Sequence, residues 1–438
     1  MKLGKGQTLF VSFMLFSLFF GAGNLIFPPF LGQNAGEMAP MAMLGFVCTA
    51  VVLPVLAVIV VEKFNGLNVL ASKVNPKFAA VFTFLIYLSI GPALAIPRAA
   101  SVPFEVSVAP YLPETASFTI WMVVYSLIFF LLNIWLTVTP TKMVDRLGKY
   151  LTPVLLILIV ILFAGFALKG TMATAPAQPE YSAGPFAKGF VEGYLTMDAI
   201  AGLIFGLVIT TTLSNLHITE SRSMRKYTMI CGILAGVVLA VVYIMIGYMG
   251  MQSSGVYPIQ ENGAWTLRCI VDEVFGLPGA VLLAAIFALA CLSTCVGLTS
   301  SISQYFAEIF PVLDYKKWAV VTSVVSFIIC NQGLSMILQF SVPVLNAIYP
   351  MAIVLTVLGL LNGLFKGRRP VYILAVCVTG IISIGSVLES FGLNLGPVSA
   401  AFAKLPLYSL GLGWVTAAIV AAVVGFIISM AMGSKKDA

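Results

Sequence analysis

Apolar residues run through this chain in blocks of about twenty, separated by short polar punctuation, from Thr8 almost to the C-terminus. A block of that length matches the ~20 residues a helix needs to cross the hydrocarbon of a bilayer. Twelve such blocks are predicted, at 8–31, 41–61, 78–97, 118–138, 150–168, 189–213, 228–250, 279–306, 318–330, 337–363, 370–389 and 408–432. The ninth is short, and only Asn331-Gln332-Gly333 separates it from the tenth. The first run is longer than the ~7–15 apolar residues of a signal peptide and ends in prolines, so it reads as a retained span.

Charge orients these blocks. Cytoplasmic loops of membrane proteins hold the excess of Lys and Arg. With the N-terminus inside, the inner segments contain Lys2, Lys5, Lys63, Lys73, Lys77, Lys142, Arg146, Lys149, Arg222, Arg225, Lys226, Lys316, Lys317, Lys366, Arg368, Arg369, Lys435 and Lys436. Only Arg98, Lys169, Lys188, Arg268 and Lys404 remain outside. Joining the ninth and tenth blocks would move five inner cations to the outer side, so the asymmetry supports twelve spans with both termini cytoplasmic. The net charge of +7 then records topology and contact with anionic lipid, and nucleic acid is not an expected partner. Composition agrees: 60% of the 438 residues are hydrophobic and only 9% charged, too few to solvate a water-facing surface. The expected location is a bacterial inner (plasma) membrane.

Two blocks are interrupted where an ordinary span would be smooth. FGAGNLIFPPF (Phe20–Phe30) brings two glycines, an asparagine and a double proline into the first, with Gly21 roughly 20 Å deep at 1.5 Å per residue. Irregular backbone survives at that depth only where protein or a water-filled cavity surrounds it. The freed carbonyls and amides can then replace an ion's hydration shell or grip a carboxylate. GYLTMDAIAGLIFG (Gly193–Gly206) in the sixth block sets Asp198 about ten residues into the span, beside Thr196 and Gly202. A carboxylate there is costly and by default functional. The first block starts inside and the sixth outside, five blocks apart, which is the signature of an inverted-repeat transporter. The units are 1–168 (helices 1–5), 169–363 (helices 6–10) and 364–438 (helices 11–12 and a tail).

The eighth block adds oxygens. CLSTCVGLTSSISQ (Cys291–Gln304) carries Ser293, Thr294, Thr299, Ser300, Ser301 and Ser303. Thr299, Ser300 and Ser303 share a face and suit part of a small hard-cation site, for which sodium fits neutral oxygens. The seven cysteines show neither metal spacing nor a disulfide framework, and only Cys269 falls in a polar loop.

FGAGNLIFPPFLG, GPALAIPRAASVPFE (Gly91–Glu105) and GYLTMDA together resemble the bacterial branched-chain amino acid:cation symporter family (LIVCS, the BrnQ type) along essentially the whole chain. The resemblance implies an all-α, LeuT-like five-plus-five inverted repeat with two further helices, and sodium-coupled uptake of leucine, isoleucine and valine. Gly21-Ala22-Gly23-Asn24 is more distantly similar to the unwound first helix of LeuT-like sodium symporters, which implies substrate-carboxylate binding by the amides and a sodium ligand in Asn24. Gly297–Ile302 resembles their eighth-helix motif, implying Thr299 and Ser300 as sodium ligands, with Thr196 as another through its place in the sixth-helix break. Asp198 is an addition to that pattern, assigned here to the ligand or cation site. Phe27 stands where those proteins carry an outer-gate arginine.

Other classes fit less well. An enzyme would need a nucleophile with its base or metal ligands, and the single histidine, His217, lies by a span end beside Glu220 and Arg222. A channel builds its filter from symmetric pore loops rather than two central breaks in one chain. No cluster of acids or bases suits a charged side chain, so an apolar amino acid is the expected cargo. A proton-coupled or differently selective carrier of small neutral amino acids is the alternative.

Overall fold

In a computed structural model of the chain, described for residues 3–113, 115–139 and 144–431, helix follows helix, with no strand among the described residues. Lys2, Lys142, Lys435 and Lys436, and the expected tail, lie outside those residues. The main helices are α1 (Lys5–Phe19), α2 (Ala22–Ala35), α3 (39–64), α4 (Pro76–Tyr111), α5 (Phe118–Thr137), α6 (Val144–Lys169), α7 (Pro185–Glu192), α8 (Asp198–Asn215), α9 (Ser221–Ser253), α10 (Gly263–Phe275), α11 (Leu277–Ile309), α12 (Tyr315–Cys330), α13 (Leu334–Leu361), α14 (Arg369–Ser390) and α15 (Gly413–Ala431). Ten helical stretches among the described residues are long and apolar enough to cross a membrane, making this a multi-pass membrane protein.

Helix is the forced choice for such a sequence, because hydrocarbon offers no partner to an unpaired backbone N–H or C=O. The side chains are sorted accordingly. On α5, Ile120, Leu131 and Trp135 face outward while Ser126 and Asn133 are fully buried. Between helices, small residues allow close approach. A Cβ at Gly32 would lie 2.1 Å from the Gly247 carbonyl oxygen, and one at Gly250 would lie 2.1 Å from that of Pro29, so α2 and α9 touch backbone to backbone. α14 and α15 pack chiefly on one another, and α14 also leans on α13.

The structure departs from the expected spans at informative points. The third span, expected at 78–97, continues as α4 to Tyr111 through a distortion at Gly91 and Pro92, so Arg98 is not an outer-loop charge but a buried residue of that span. The ninth is a helix of 16 residues, shorter than a usual span. Cys269, expected in a loop, lies on α10, a helix that the apolar pattern did not predict. Asn262 starts α10 by accepting from the amides of Ala264 and Trp265 at 3.0 and 3.3 Å.

Both expected interruptions are present. α1 ends at Phe19 and α2 begins at Ala22, with Phe20 and Gly21 extended between them. The sixth span is split into α7, a tight turn over Gly193–Thr196, left-handed Met197 at φ 70°, and α8. Asn24 and Asp198 lie at the starts of α2 and α8, the helices that follow the two breaks, and a hydrogen bond joins them across 174 residues.

Candidate functional site

Around these breaks lies a small cavity of about 30 Å³, lined by Gly21, Ala22, Gly23, Asn24, Arg98, Thr196, Asp198 and Thr294, with Leu18, Phe19, Ile90, Met197 and Leu298 as apolar wall. The first-turn amides of α2 have no partners within their own helix, so those of Ala22 and Gly23 present a positive dipole end here. Asn24 secures that end: its Oδ1 accepts from the Gly21 amide at 3.0 Å. Its Nδ2 donates to Asp198 Oδ2 at 2.6 Å and also reaches the Tyr243 hydroxyl.

Asp198 is 2% exposed. Its Oδ2 also accepts from Tyr243 at 2.7 Å, so two protein donors converge on one oxygen of this cavity-lining carboxylate. The start of α8 is tied down as well. The Asp198 amide meets Thr196 Oγ1 at 3.4 Å, and the Ala199 amide donates to the Tyr349 hydroxyl at 3.0 Å. Tyr349 in turn stacks on Tyr194, with ring centroids 4.5 Å apart. No ion pair within 4.0 Å involves Asp198 or Arg98 among the described residues.

A second cluster of oxygens lies where α1 ends. A helix C-terminus concentrates unpaired carbonyls and partial negative charge. The Ser17 carbonyl accepts from Ser293 Oγ at 3.3 Å and from Thr294 Oγ1 at 3.1 Å, both on α11, while Ser17 Oγ is buried with no partner. Three of these atoms are neutral hydroxyls and one is a carbonyl, the donor set a hard cation takes.

The expected site residues therefore separate into two groups. Gly21, Ala22, Gly23, Asn24, Thr196 and Asp198 line one cavity. Thr299 and Ser300, expected as cation ligands, do not line it. Thr299 Oγ1 accepts from Asn133 on α5 at 3.0 Å, and Ser300 Oγ pairs with the Tyr315 hydroxyl of α12 at 3.0 Å. The physical reason is helical phase. Thr294 and Leu298 share the face of α11 that lines the cavity, whereas the hydroxyls of Thr299 and Ser300 are engaged by α5 and α12. Thr196 Oγ1, expected as a cation ligand, donates to Gly193 O at 2.9 Å.

Sequence reasoning missed Tyr243, Tyr349 and the siting of Arg98. The tyrosines had no signal beyond being polar groups inside apolar blocks. Arg98 had one, since it sits in GPALAIPRAASVPFE between two prolines, where a helix can bend inward.

Residues 5–432 match the family described as branched-chain amino acid transport protein. The chain is 40% identical over 439 residues to the branched-chain amino acid permease BraB of Bacillus subtilis, covering 98% of this chain and 97% of that one. It is 37% identical over 435 residues to the branched-chain amino acid transport system 2 carrier protein of Pseudomonas aeruginosa, with 99% and 98% covered. These relatives are named permease and carrier, in keeping with a protein that is not an enzyme. Among solved structures, a nucleobase-cation-symport-1 family transporter in a closed conformation matches with TM-score 0.63 at 14% identity, covering 97% of this chain and 92% of that one. A manganese transporter of Eremococcus coleocola matches with TM-score 0.56 at 14% identity, covering 98% of both chains. At such identity these structures speak for the fold alone, an all-helical one of the LeuT-like kind. The family match across nearly the full length, joined to relatives of this identity, shows that the chain belongs to the branched-chain amino acid transport protein family.

Proposed function

We propose that this protein imports leucine, isoleucine and valine across the bacterial inner membrane by sodium-coupled symport, with both termini cytoplasmic. The observation that carries this reading is the pairing of the two helix breaks around one cavity, with Asp198 and the α2 amides inside it and the Ser17–Ser293–Thr294 oxygens at its edge. The α2 amides suit a carboxylate, and the Asp198 carboxylate suits an ammonium. Leu18, Phe19, Ile90, Met197 and Leu298 suit an uncharged, branched side chain. Sodium is cargo here. It binds between the end of α1 and α11, where its charge is favoured by the helix C-terminus, and it couples the two helices that must part when the site opens inward.

Alternating access follows from the repeat organisation: units 1–168 and 169–363 each contribute one break, and the units rock about the shared site. Residues 364–438 add the last helices and the tail. A second reading, proton coupling through Asp198, is favoured by the burial of that carboxylate. Substrate choice is tested by competition against radiolabelled leucine in proteoliposomes. Isoleucine, an isomer of leucine, and valine, which lacks one methylene worth ~1–3 kcal/mol or ~10–200-fold in an apolar pocket, are both expected to compete with leucine. Lysine and glutamate are expected to inhibit poorly. Inhibition by lysine equal to that by valine would refute the apolar-pocket assignment.

A further inference from the structure

Arg98 is the least satisfied charge in the described protein core. It is 4% exposed on α4, in the middle of a membrane span. A guanidinium carries five N–H donors, yet this one makes a single hydrogen bond, from Nη1 to the Leu195 carbonyl at 2.8 Å. The group lies 5.5 Å over the Phe27 ring, which favours a cation but accepts no hydrogen bond of ordinary strength. Nε is buried without any partner. A buried charge in that state is expensive unless something else completes its shell.

The surroundings indicate what does so. Arg98 lines the cavity together with Asp198, but the two form no ion pair, so opposite charges share one small space without neutralising each other. Gly23 also belongs to the wall, and a Cβ there would stand only 2.7 Å from Arg98 Nη2. The guanidinium therefore lies directly against the backbone at the start of α2, where the helix amides already present positive potential. Two sources of positive charge meet at this cavity, and the Asp198 carboxylate lines it too.

We propose that Arg98 is the receptor for the substrate's α-carboxylate, acting with the α2 amides, and that Arg98 and Asp198 together read the zwitterion of a free amino acid. This inference rests on the transport reading above and deepens it. A planar fork of donors recognises a carboxylate with more directional selectivity than a point charge. The Leu195 bond then positions the guanidinium, and the unused donors are those that face the ligand. The glycine at position 23 gives the guanidinium room to reach the helix terminus.

The competing possibility is that Arg98 only pins Leu195 at the end of the sixth-span turn. The two differ in what they say about ligands that lack a carboxylate. Leucinol keeps the ammonium and side chain of leucine but carries an alcohol instead. Wild-type protein in proteoliposomes is expected to prefer leucine over leucinol as a competitor by ~10–100-fold, the size of a lost charge-assisted hydrogen bond. In Arg98→Gln that ratio should fall below ~10-fold through loss of leucine affinity, while leucinol inhibits much as before; Arg98→Lys, which keeps the charge but not the fork, should lie between. An unchanged leucine-to-leucinol ratio in Arg98→Gln overturns the proposal, whatever happens to the transport rate. Should Arg98→Gln not reach the membrane, Arg98→Lys decides through ligand protection against thermal unfolding in saturating sodium, measured beside wild type. A smaller advantage of leucine over leucinol in Arg98→Lys than in wild type upholds the assignment, and an equal advantage in both refutes it. Failure of wild-type protein to transport leucine at all would instead count against the transport reading itself.

Discussion

Asp198→Asn is expected to abolish concentrative leucine uptake while reaching the membrane in normal amount. The substitution keeps the shape and one acceptor oxygen, so the bonds from Asn24 and Tyr243 to the side chain can persist. What disappears is the negative charge facing the cavity. Removing one member of a buried charge pair costs about 3–5 kcal/mol, which at about 1.4 kcal/mol per tenfold corresponds to ~100-fold or more in apparent affinity. If the carboxylate only held the fold together, the same mutant would be poorly expressed. The readout is therefore sodium-driven leucine uptake normalised to protein in the membrane. Wild-type uptake by Asp198→Asn would remove this residue from the site.

The second large effect is expected on sodium. Thr294→Ala and Ser293→Ala each delete one oxygen beside the Ser17 carbonyl and change volume little. A lost ligand to a charged group is worth about 1.5–3 kcal/mol, so half-maximal transport should require ~10-fold more sodium or beyond. Thr299→Ala and Ser300→Ala provide the contrast, because their hydroxyls are engaged by Asn133 and Tyr315. These two should lower stability without moving the sodium dependence. The opposite pattern, with sodium affinity altered only by Thr299 and Ser300, would relocate the cation toward α5 and α12.

The chemistry of a span leaves some features legible in the sequence and hides others. Apolar blocks of span length were visible because hydrocarbon leaves little choice of side chain or backbone. The breaks at Gly21 and Met197 were visible too, since glycine, proline and a deep aspartate are costly in a plain span. Which hydroxyls of α11 face the first break was not legible. Six of them lie within one helix, and the choice between Ser293–Thr294 and Thr299–Ser300 depends on a rotation about the helix axis that α1 packing sets. The role of Arg98 was hidden for a related reason. Loop and span assignments ended the third block at Pro97, treating the next charge as an exit into water. In the folded chain α4 bends at Gly91 and runs on to Tyr111, and Leu195 from the other half of the molecule supplies the acceptor. A contact between residues 97 positions apart leaves no periodic trace in either segment.

Coupling of substrate to sodium at the paired breaks is the central claim, and a gradient experiment reaches it most directly. Purified protein in proteoliposomes would be loaded without sodium and given radiolabelled leucine under an inward sodium gradient, an inward proton gradient, or neither. Accumulation above equilibrium is expected with the sodium gradient alone, collapsing when the gradient is dissipated. Accumulation driven by protons in the absence of sodium, or leucine entry that merely equilibrates under every gradient, would contradict it.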